Sequence, residues 1–180
     1  MKQIRRNVFE TNSSSTHSIC ISKAPVTIGK HIDFCIGEYG WASDCVYASD
    51  YLYTAILIQE DSDELLHKLK NILDAHSISY EFEEPRYSTY DDDHEWKWLE
   101  SGHIDHGYDT REFINAVLSN EDMLMRCLFG ASYVYTGNDN SSSYEDMCYA
   151  AYETIWDDDY KEIPNPNHDE TKYDYFFKGN

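Results

Sequence analysis

The sequence predicts an α+β fold in a single domain spanning residues 1–180, with a short, mostly antiparallel sheet packed against about four helices. Two observations predict it. The length of 180 residues and the hydrophobic fraction of 41% are enough for one hydrophobic core without disulfides or metal staples. Short segments with alternating apolar residues then predict strands, and longer segments with three- and four-residue apolar spacing predict helices.

The first elements along the chain are strands. Ile19 and Ile21 alternate with small polar residues, which predicts a strand over residues 17–22. Residues 3–9 predict a strand before it, and the two would form a hairpin around a serine-rich loop. A further short strand is expected over residues 31–36.

The apolar period changes after residue 43. Apolar residues from Val46 to Leu73 recur at helical spacing, which predicts two helices separated near residues 60–63. Residues 78–82 alternate between apolar and polar side chains before Pro85, as in a strand with one face exposed to water.

The second half begins with a long polar segment over residues 86–107, for which no helix or strand is predicted. Helical spacing resumes over residues 110–118 and continues over 121–129, until Gly130. The segment 133–135 predicts a strand that leads into the turn "TGNDNSSSYEDM".

Two elements are expected after that turn. Ser142 and Glu145 have the spacing of a capping box, which predicts a helix ending at Tyr152 or Trp156. Residues 173–177 predict a last strand.

The net charge of −20 is distributed unevenly. Residues 1–30 hold five Lys or Arg and one Glu, whereas residues 31–180 hold nine bases and 33 acids. The acids are densest in residues 81–112 and 145–170. Such a surface repels nucleic acid and anionic membranes and attracts basic proteins. No signal peptide or apolar span is evident, so we expect a cytoplasmic protein.

The cysteines and histidines predict no cofactor or metal. The five cysteines form an odd set without a C-x-x-C pair and lie among apolar residues, which is typical of reduced core cysteines. The segment "GHIDHGYD" (residues 102–109) contains two His and two Asp, but its bracketing glycines favour an exposed turn over a metal site.

The serine-rich loop is the first candidate site. Its hydroxyls, backbone N–H groups and a titratable imidazole could cradle a phosphate or a polar metabolite, together with the later polar turn. The candidate ligand residues are Glu10, Asn12, Ser13, Ser14, Ser15, His17, Asn138 and Asp139. The loop contains no glycine, which argues against a phosphate loop and against a serine nucleophile elbow. A hairpin loop whose side chains satisfy their own backbone is the plain alternative.

The same segment carries a resemblance. The stretch "RRNVFETNSSSTHS", Arg5 to Ser18, resembles the opening of small proteins predicted in phages and mobile elements of low-GC bacteria, and "TGNDN" is similar to a later landmark in them. The resemblance covers about a tenth of the chain. It implies a phage or mobile-element setting in a bacterial host cell, and it implies no reaction.

Two acidic segments with interleaved aromatics are the second candidate site. "YSTYDDDHEWKWLE" (residues 87–100) and "YETIWDDDYKE" (residues 152–162) each place three Asp beside Trp and Tyr. Carboxylates held on one folded face can imitate the phosphates of duplex DNA, and aromatic rings can anchor the interface. The candidate partner-binding residues are Asp91, Asp92, Asp93, Glu95, Trp96, Trp98, Trp156, Asp157, Asp158 and Asp159. A solvated acidic surface that only confers solubility is the plain alternative.

These observations lead to a binding function rather than an enzyme. The leading hypothesis is an acidic phage or mobile-element inhibitor that binds a basic nucleic-acid-binding protein, a nuclease or CRISPR effector, by DNA mimicry of the anti-CRISPR or anti-restriction type. No direct contact with nucleic acid or membrane is expected. The alternative is a small enzyme or nucleotide-binding module with its site at the serine-rich loop. A third possibility is an acidic scaffold within a larger assembly, and the sequence leaves the oligomeric state open.

Overall fold

Four α-helices and a four-stranded antiparallel sheet dominate the computed structural model, which confirms the predicted α+β fold. The structure describes residues 15–40, 44–89, 97–105, 107–138, 152–155, 161–164 and 170–178. The helices are α1 (Ala48–Leu57), α2 (Ser62–Ala75), α3 (Arg111–Ser119) and α4 (Glu121–Phe129), and a 3-10 turn at Gly107–Thr110 precedes α3.

The described part of the chain contains twelve strands. They are β1 (Ser15–Ser22), β2 (His31–Phe34), β3 (Glu38–Tyr39), β4 (Asp44–Tyr47), β5 (Ser79–Phe82), β6 (Tyr87–Thr89), β7 (Lys97–Leu99), β8 (His103–Ile104), β9 (Tyr133–Asn138), β10 (Tyr152–Ile155), β11 (Lys161–Pro164) and β12 (Tyr173–Lys178).

The main sheet has the strand order β12-β1-β9-β4, and each neighbouring pair is antiparallel. Ile19 of β1 lies opposite Val134 of β9 on one side and Phe176 of β12 on the other. These residues face the helices, and the ring centroids of Phe176 and Phe113 of α3 are 5.7 Å apart. The remaining strands form two-stranded pairs: β2–β5 and β3–β8 are parallel, and β6–β7 and β10–β11 are antiparallel.

Helix α1 lies at the centre of the packing. All residues from Tyr51 to Leu57 are buried, so this helix has no solvent-facing stripe over its C-terminal two turns. It contacts the other three helices and strands β1 and β9 of the main sheet. A helix buried on all sides serves as the common packing partner of the elements around it.

Helices α2 and α3 are joined by an ion pair at their N-terminal ends. The two terminal nitrogens of the Arg111 guanidinium, Nη1 and Nη2, donate to the two oxygens of the Asp61 carboxylate at 2.5 and 2.6 Å. This contact holds the pKa of Asp61 below its usual value. Both side chains are partly exposed, so the pair contributes only about 0.2–1 kcal/mol to stability.

Most of the predicted elements are confirmed, and four expectations are corrected. Val46 lies in strand β4, where helical spacing predicted a helix, and α1 begins at Ala48, because pairing with β9 decides the conformation of this segment. The first strand begins at Ser15, earlier than the predicted residue 17. The polar segment over residues 86–107 contains three short strands, β6 to β8. Pairing with another strand can stabilise a strand that is too short to show alternating hydrophobicity in the sequence. Residues 152–155 form β10 where a helix end was predicted, since a capping box marks where a helix begins and not how far it runs. The predicted elements at residues 3–9 and 142–151 lie outside the described residues.

The cysteine prediction is half wrong. Cys20 and Cys127 are buried and free, as expected, whereas Cys35 and Cys45 are free and exposed. Cys45 lies on the edge strand β4, and Cys35 follows the end of β2, where apolar neighbours in sequence do not imply burial. Cys148 lies outside the described residues. Among the described helices, none has both the length and the apolarity to span a membrane.

The buried contact between β1 and α1 is expected to stabilise the fold measurably. His17 Nδ1 lies 2.7 Å from the Tyr51 hydroxyl, and both side chains are fully buried. Tyr51→Phe removes this hydrogen bond inside the core, so we expect a loss of about 1–3 kcal/mol in the free energy of unfolding. Denaturant titration measures it, with Tyr47→Phe as the control because the Tyr47 side chain is exposed. Equal stability of the two variants would contradict the assignment.

Candidate functional site

Four carboxylates surround the C-terminal ends of β2 and β5, and we call them the carboxylate cluster: Asp33, Asp50, Glu81 and Glu83. The parallel register places Asp33 of β2 opposite Glu81 of β5, and both are exposed. Like charges opposite each other across a strand pair repel. The fold therefore holds negative charge together at this end of the strand pair.

Backbone N–H groups hold two members of the carboxylate cluster in place. The Cys35 N–H donates to Asp50 Oδ1 at 3.0 Å, and the Ile36 N–H donates to Glu83 Oε2 at 2.8 Å. These N–H groups belong to the chain leaving β2, where the strand pairing has ended and the backbone needs other acceptors. Both carboxylates are consequently fixed relative to the strands.

The electrostatics of the cluster follow from this crowding. Burial raises the pKa of Asp50, the hydrogen bond from Cys35 opposes the shift, and the charge of Glu83 adds to it. Desolvation raises the pKa of the Cys35 thiol, and the charges of Asp50, Glu83 and Asp33 raise it further. A thiol with a raised pKa remains protonated near neutral pH, so Cys35 is not suited to act as a nucleophile.

An acid-lined cleft adjoins the cluster through Glu83. Its volume is about 640 Å³, and it is lined by Glu83, Glu84, Pro85, Arg86, Glu100 and Ser101. The Glu100 N–H donates to the Arg86 carbonyl at 2.8 Å, and the Ser88 hydroxyl donates to the Glu100 carboxylate. Three carboxylates face one guanidinium, so the cleft favours cationic groups over anions.

The chain around Asp33 and Asp50 supplies few positive charges. Residues 31–67 hold eight acidic residues and no Lys or Arg. Two arginines elsewhere are engaged by acids: Arg111 pairs with Asp61, and Arg126 contacts Asp122 and Asp174. Asp33 and Asp50 thus lie in a stretch of chain without Lys or Arg, although the His31 imidazole is 2.9 Å from Asp33. Glu81 and Glu83 lie nearer to Arg86, which lines the adjoining cleft.

Of the ten predicted partner-binding residues, the structure describes one. Trp98 lies in strand β7, and the other nine predicted partner-binding residues, Asp91 to Asp93, Glu95, Trp96 and Trp156 to Asp159, lie outside the described residues. Sequence analysis did not select Asp33, Asp50, Glu81 or Glu83. The alternation of acids along residues 79–84 indicates a charged strand face. The sequence does not indicate that this strand pairs with β2.

The described residues next to the serine-rich loop and the later polar turn pair at one end of the main sheet. Ser15, the first residue of β1, lies opposite Asn138, the last residue of β9. Ser15 and His17 are fully buried strand residues and not loop residues, which corrects the predicted C-terminal boundary of the loop. The other candidate ligand residues, Glu10, Asn12, Ser13, Ser14 and Asp139, lie outside the described residues.

The His- and Asp-containing segment is not a simple exposed turn. It contains β8 and the 3-10 turn before α3, and Ile104 within it is 2% exposed. Across the described ranges, no group of three or more His, Cys, Asp or Glu is placed to hold a metal ion.

Comparison of the chain with protein-family models, curated proteins and solved structures finds no significant match.

Neutralising Asp50 is expected to stabilise the protein near neutral pH. In Asp50→Asn the amide oxygen still accepts from the Cys35 N–H, while the cost of burying a charge and the repulsion from Glu83 are both removed, so we expect a gain of about 0.2–1 kcal/mol at pH 7. The folded-state pKa of Asp50 is raised, so its carboxylate becomes protonated in the wild type as the pH falls through that pKa. The wild type then gains the stability that Asp50→Asn already has at pH 7. The gain should therefore shrink toward about pH 4.

The measurement is urea unfolding at several pH values, with Glu38→Gln as the control. Glu38 is an exposed strand residue and is not among the charges that shift Asp50. A loss of stability at pH 7, or a gain that does not depend on pH, would show that Asp50 is not crowded as described.

Proposed function

We propose that the protein is an acidic inhibitor that binds a basic, nucleic-acid-handling protein and occupies the Lys/Arg groove that otherwise holds phosphates. The observation that carries this proposal is the carboxylate cluster together with the adjoining acid-lined cleft. Both concentrate negative charge, and backbone N–H groups hold Asp50 and Glu83 in place.

The cost of this arrangement supports a binding role. Asp33 and Glu81 repel each other across β2 and β5, and Glu83 raises the pKa of Asp50. A surface that only needs to be soluble can intersperse both signs of charge and avoid such repulsion. A cationic partner relieves it, because Lys and Arg groups placed among the carboxylates convert like-charge repulsion into attraction.

Imitation of DNA is the form of recognition that we propose. Duplex DNA presents one charge per ~1.7 Å of axis, and a phosphate-binding groove holds its Lys and Arg side chains to match it. Adjacent strands place side chains ~4.8 Å apart, so carboxylates on β2 and β5 are dense enough to engage neighbouring cations of such a groove. The phage or mobile-element setting suggested by the N-terminal stretch makes a CRISPR effector or restriction nuclease the proposed target.

Neutralising the cleft should weaken inhibition. The triple variant Glu83→Gln, Glu84→Gln, Glu100→Gln is expected to raise the concentration needed to displace duplex DNA from a CRISPR effector or restriction nuclease by about tenfold, since each exposed ionic contact contributes about 0.2–1 kcal/mol. A gel-mobility competition assay at low salt measures this displacement. Gln at position 83 can still accept from the Ile36 N–H.

The matched control removes the same number of charges elsewhere: Glu112→Gln in α3, Glu121→Gln in α4 and Glu170→Gln. It should change the displacement much less than the cleft variant. Failure of the wild type to displace DNA from either target at a hundredfold excess, or insensitivity of displacement to salt, would count against the proposal.

A second candidate function has one observation in its favour. Ser15 of the serine-rich segment pairs with Asn138 of the later polar turn at one end of the main sheet. This arrangement supports a nucleotide- or phosphate-binding module, because loops at the end of a rigid sheet often carry ligand sites.

A thermal-shift screen with nucleotides and phosphosugars tests the second candidate. If it is correct, a saturating ligand raises the melting temperature of the wild type and of the exposed control Ser119→Ala, but not that of Ser14→Ala. The absence of a shift with every ligand would leave the acidic inhibitor as the better account.

A further inference from the structure

A hydrogen-bonded chain of three side chains crosses the exposed face of the β2–β5 strand pair. His31 of β2 lies opposite Ser79 of β5, and Asp33 follows two residues after His31 on the same exposed face. The His31 Nδ1 atom is 2.8 Å from Ser79 Oγ, and the His31 Nε2 atom is 2.9 Å from Asp33 Oδ1. The imidazole therefore contacts a hydroxyl through one nitrogen and a carboxylate through the other.

The protons of this chain of side chains are assigned from the chemistry of its groups. An ionised carboxylate only accepts hydrogen bonds, so the Nε2 atom that faces Asp33 carries a proton. In the neutral imidazole Nδ1 then holds a lone pair and accepts from the Ser79 hydroxyl. The Lys30 carbonyl, 3.0 Å from Ser79 Oγ, is a second acceptor for the same proton. His31 is thus placed to remove the Ser79 proton, in competition with the Lys30 carbonyl.

This order of groups is that of a nucleophile, a general base and a residue that positions the base. A serine hydroxyl becomes a nucleophile when an adjacent base takes its proton, and a third group fixes the tautomer of that base. Such an arrangement is recognised by its geometry and by the role of each group, not by position in the sequence. Ser79, His31 and Asp33 are all exposed, so a substrate can reach Ser79 from the solvent.

We propose that Ser79 and His31 form a catalytic site that hydrolyses small, activated carboxylic esters, an activity separate from the proposed binding function. Ser79 Oγ bonds to the acyl carbon as the bond from that carbon to the leaving oxygen breaks. The Ser79 proton moves to His31 Nδ1 and then to the leaving oxygen. A water molecule next gives a proton to His31 and adds to the acyl carbon, and the Ser79 oxygen leaves and recovers its proton. Asp33 is a positioning residue that holds the imidazole in the tautomer able to accept from Ser79.

The surroundings of Ser79 define the substrate class. A positioned general base contributes about 10²–10⁴ in rate, and the exposure of this site and the competing Lys30 carbonyl favour the lower end. Only esters with a good leaving group should therefore turn over. Glu81 lies opposite Asp33 on the same exposed face, so neutral and cationic esters approach more readily than anionic ones.

Hydrolysis of p-nitrophenyl acetate, followed by the release of p-nitrophenolate above the buffer rate, tests the inference. Ser79→Ala and His31→Ala should each lower the rate about a hundredfold, because each removes one partner of the proton transfer. Both side chains are exposed, so the melting temperature should not change. The matched controls Ser119→Ala and His67→Ala also change exposed side chains, and they should keep the wild-type rate.

The role of Asp33 has its own measurement. Asp33→Asn should lower kcat at unchanged KM and unchanged melting temperature, since the amide can donate to His31 Nε2 and favour the wrong tautomer. Asp33→Glu retains a carboxylate and should recover part of the rate. A purely structural link between the strands would leave kcat unaffected by either change.

Covalent labelling identifies the nucleophile directly. A fluorophosphonate probe, located by peptide mass spectrometry, should form an adduct at Ser79 in the wild type and in Ser119→Ala, and not in His31→Ala. Equal hydrolysis by the wild type and Ser79→Ala would assign the rate to histidines in general and overturn the inference. An adduct at another residue, or none in the wild type, would also overturn it. These results leave the acidic inhibitor to its own test, the displacement of DNA.

Discussion

Polar side chains of the buried helix α1 are the contacts on which the rest of the structure depends. Tyr51 hydrogen-bonds His17 of β1, Tyr53 donates to the Glu83 carbonyl after β5, and Thr54 accepts from the Gly37 N–H after β2. Asp50, one residue earlier in the same helix, accepts from Cys35. Burial of these groups is tolerable only because each has a partner, so α1 determines where three separate strands lie.

The same contacts connect the core to the charged surface. Asp50 and Glu83 are held beside α1 by backbone N–H groups, and Glu83 also lines the acid-lined cleft. The core formed by α1 to α4 and the main sheet offsets the repulsion that this arrangement causes. Burial of large apolar side chains contributes about 1.5–3 kcal/mol each, whereas a close like-charge pair costs about 0.2–1 kcal/mol. The fold can therefore hold carboxylates close together without losing stability overall.

Local sequence patterns predicted some elements of the fold, whereas others depend on contacts between residues far apart in the chain. Helical spacing placed α1 and α2 and their separation near residue 60, and alternation located β1, β2, β5, β9 and β12. The same patterns missed β6, β7 and β8, since two- and three-residue strands have too few residues to show a period. Cys35 and Cys45 were assigned to the core from apolar neighbours in sequence, but exposure depends on which elements pack over a residue. The candidate site could not be selected for the same reason, because Asp33 and Glu81 are 48 positions apart in the chain.

The sequence by itself determined the α+β composition, the order of most elements and the sign of the surface charge. Hydrophobic periodicity is visible within a short segment, and net charge is a sum over residues, so neither depends on tertiary contacts. Only the tertiary structure decided that β2 pairs in parallel with β5, that Asp50 and Glu83 accept from consecutive backbone N–H groups after β2, and that Tyr47 lies opposite Tyr133. Those facts depend on strand register and on the packing around α1. Register is set by contacts between residues far apart in the chain, which no local pattern records.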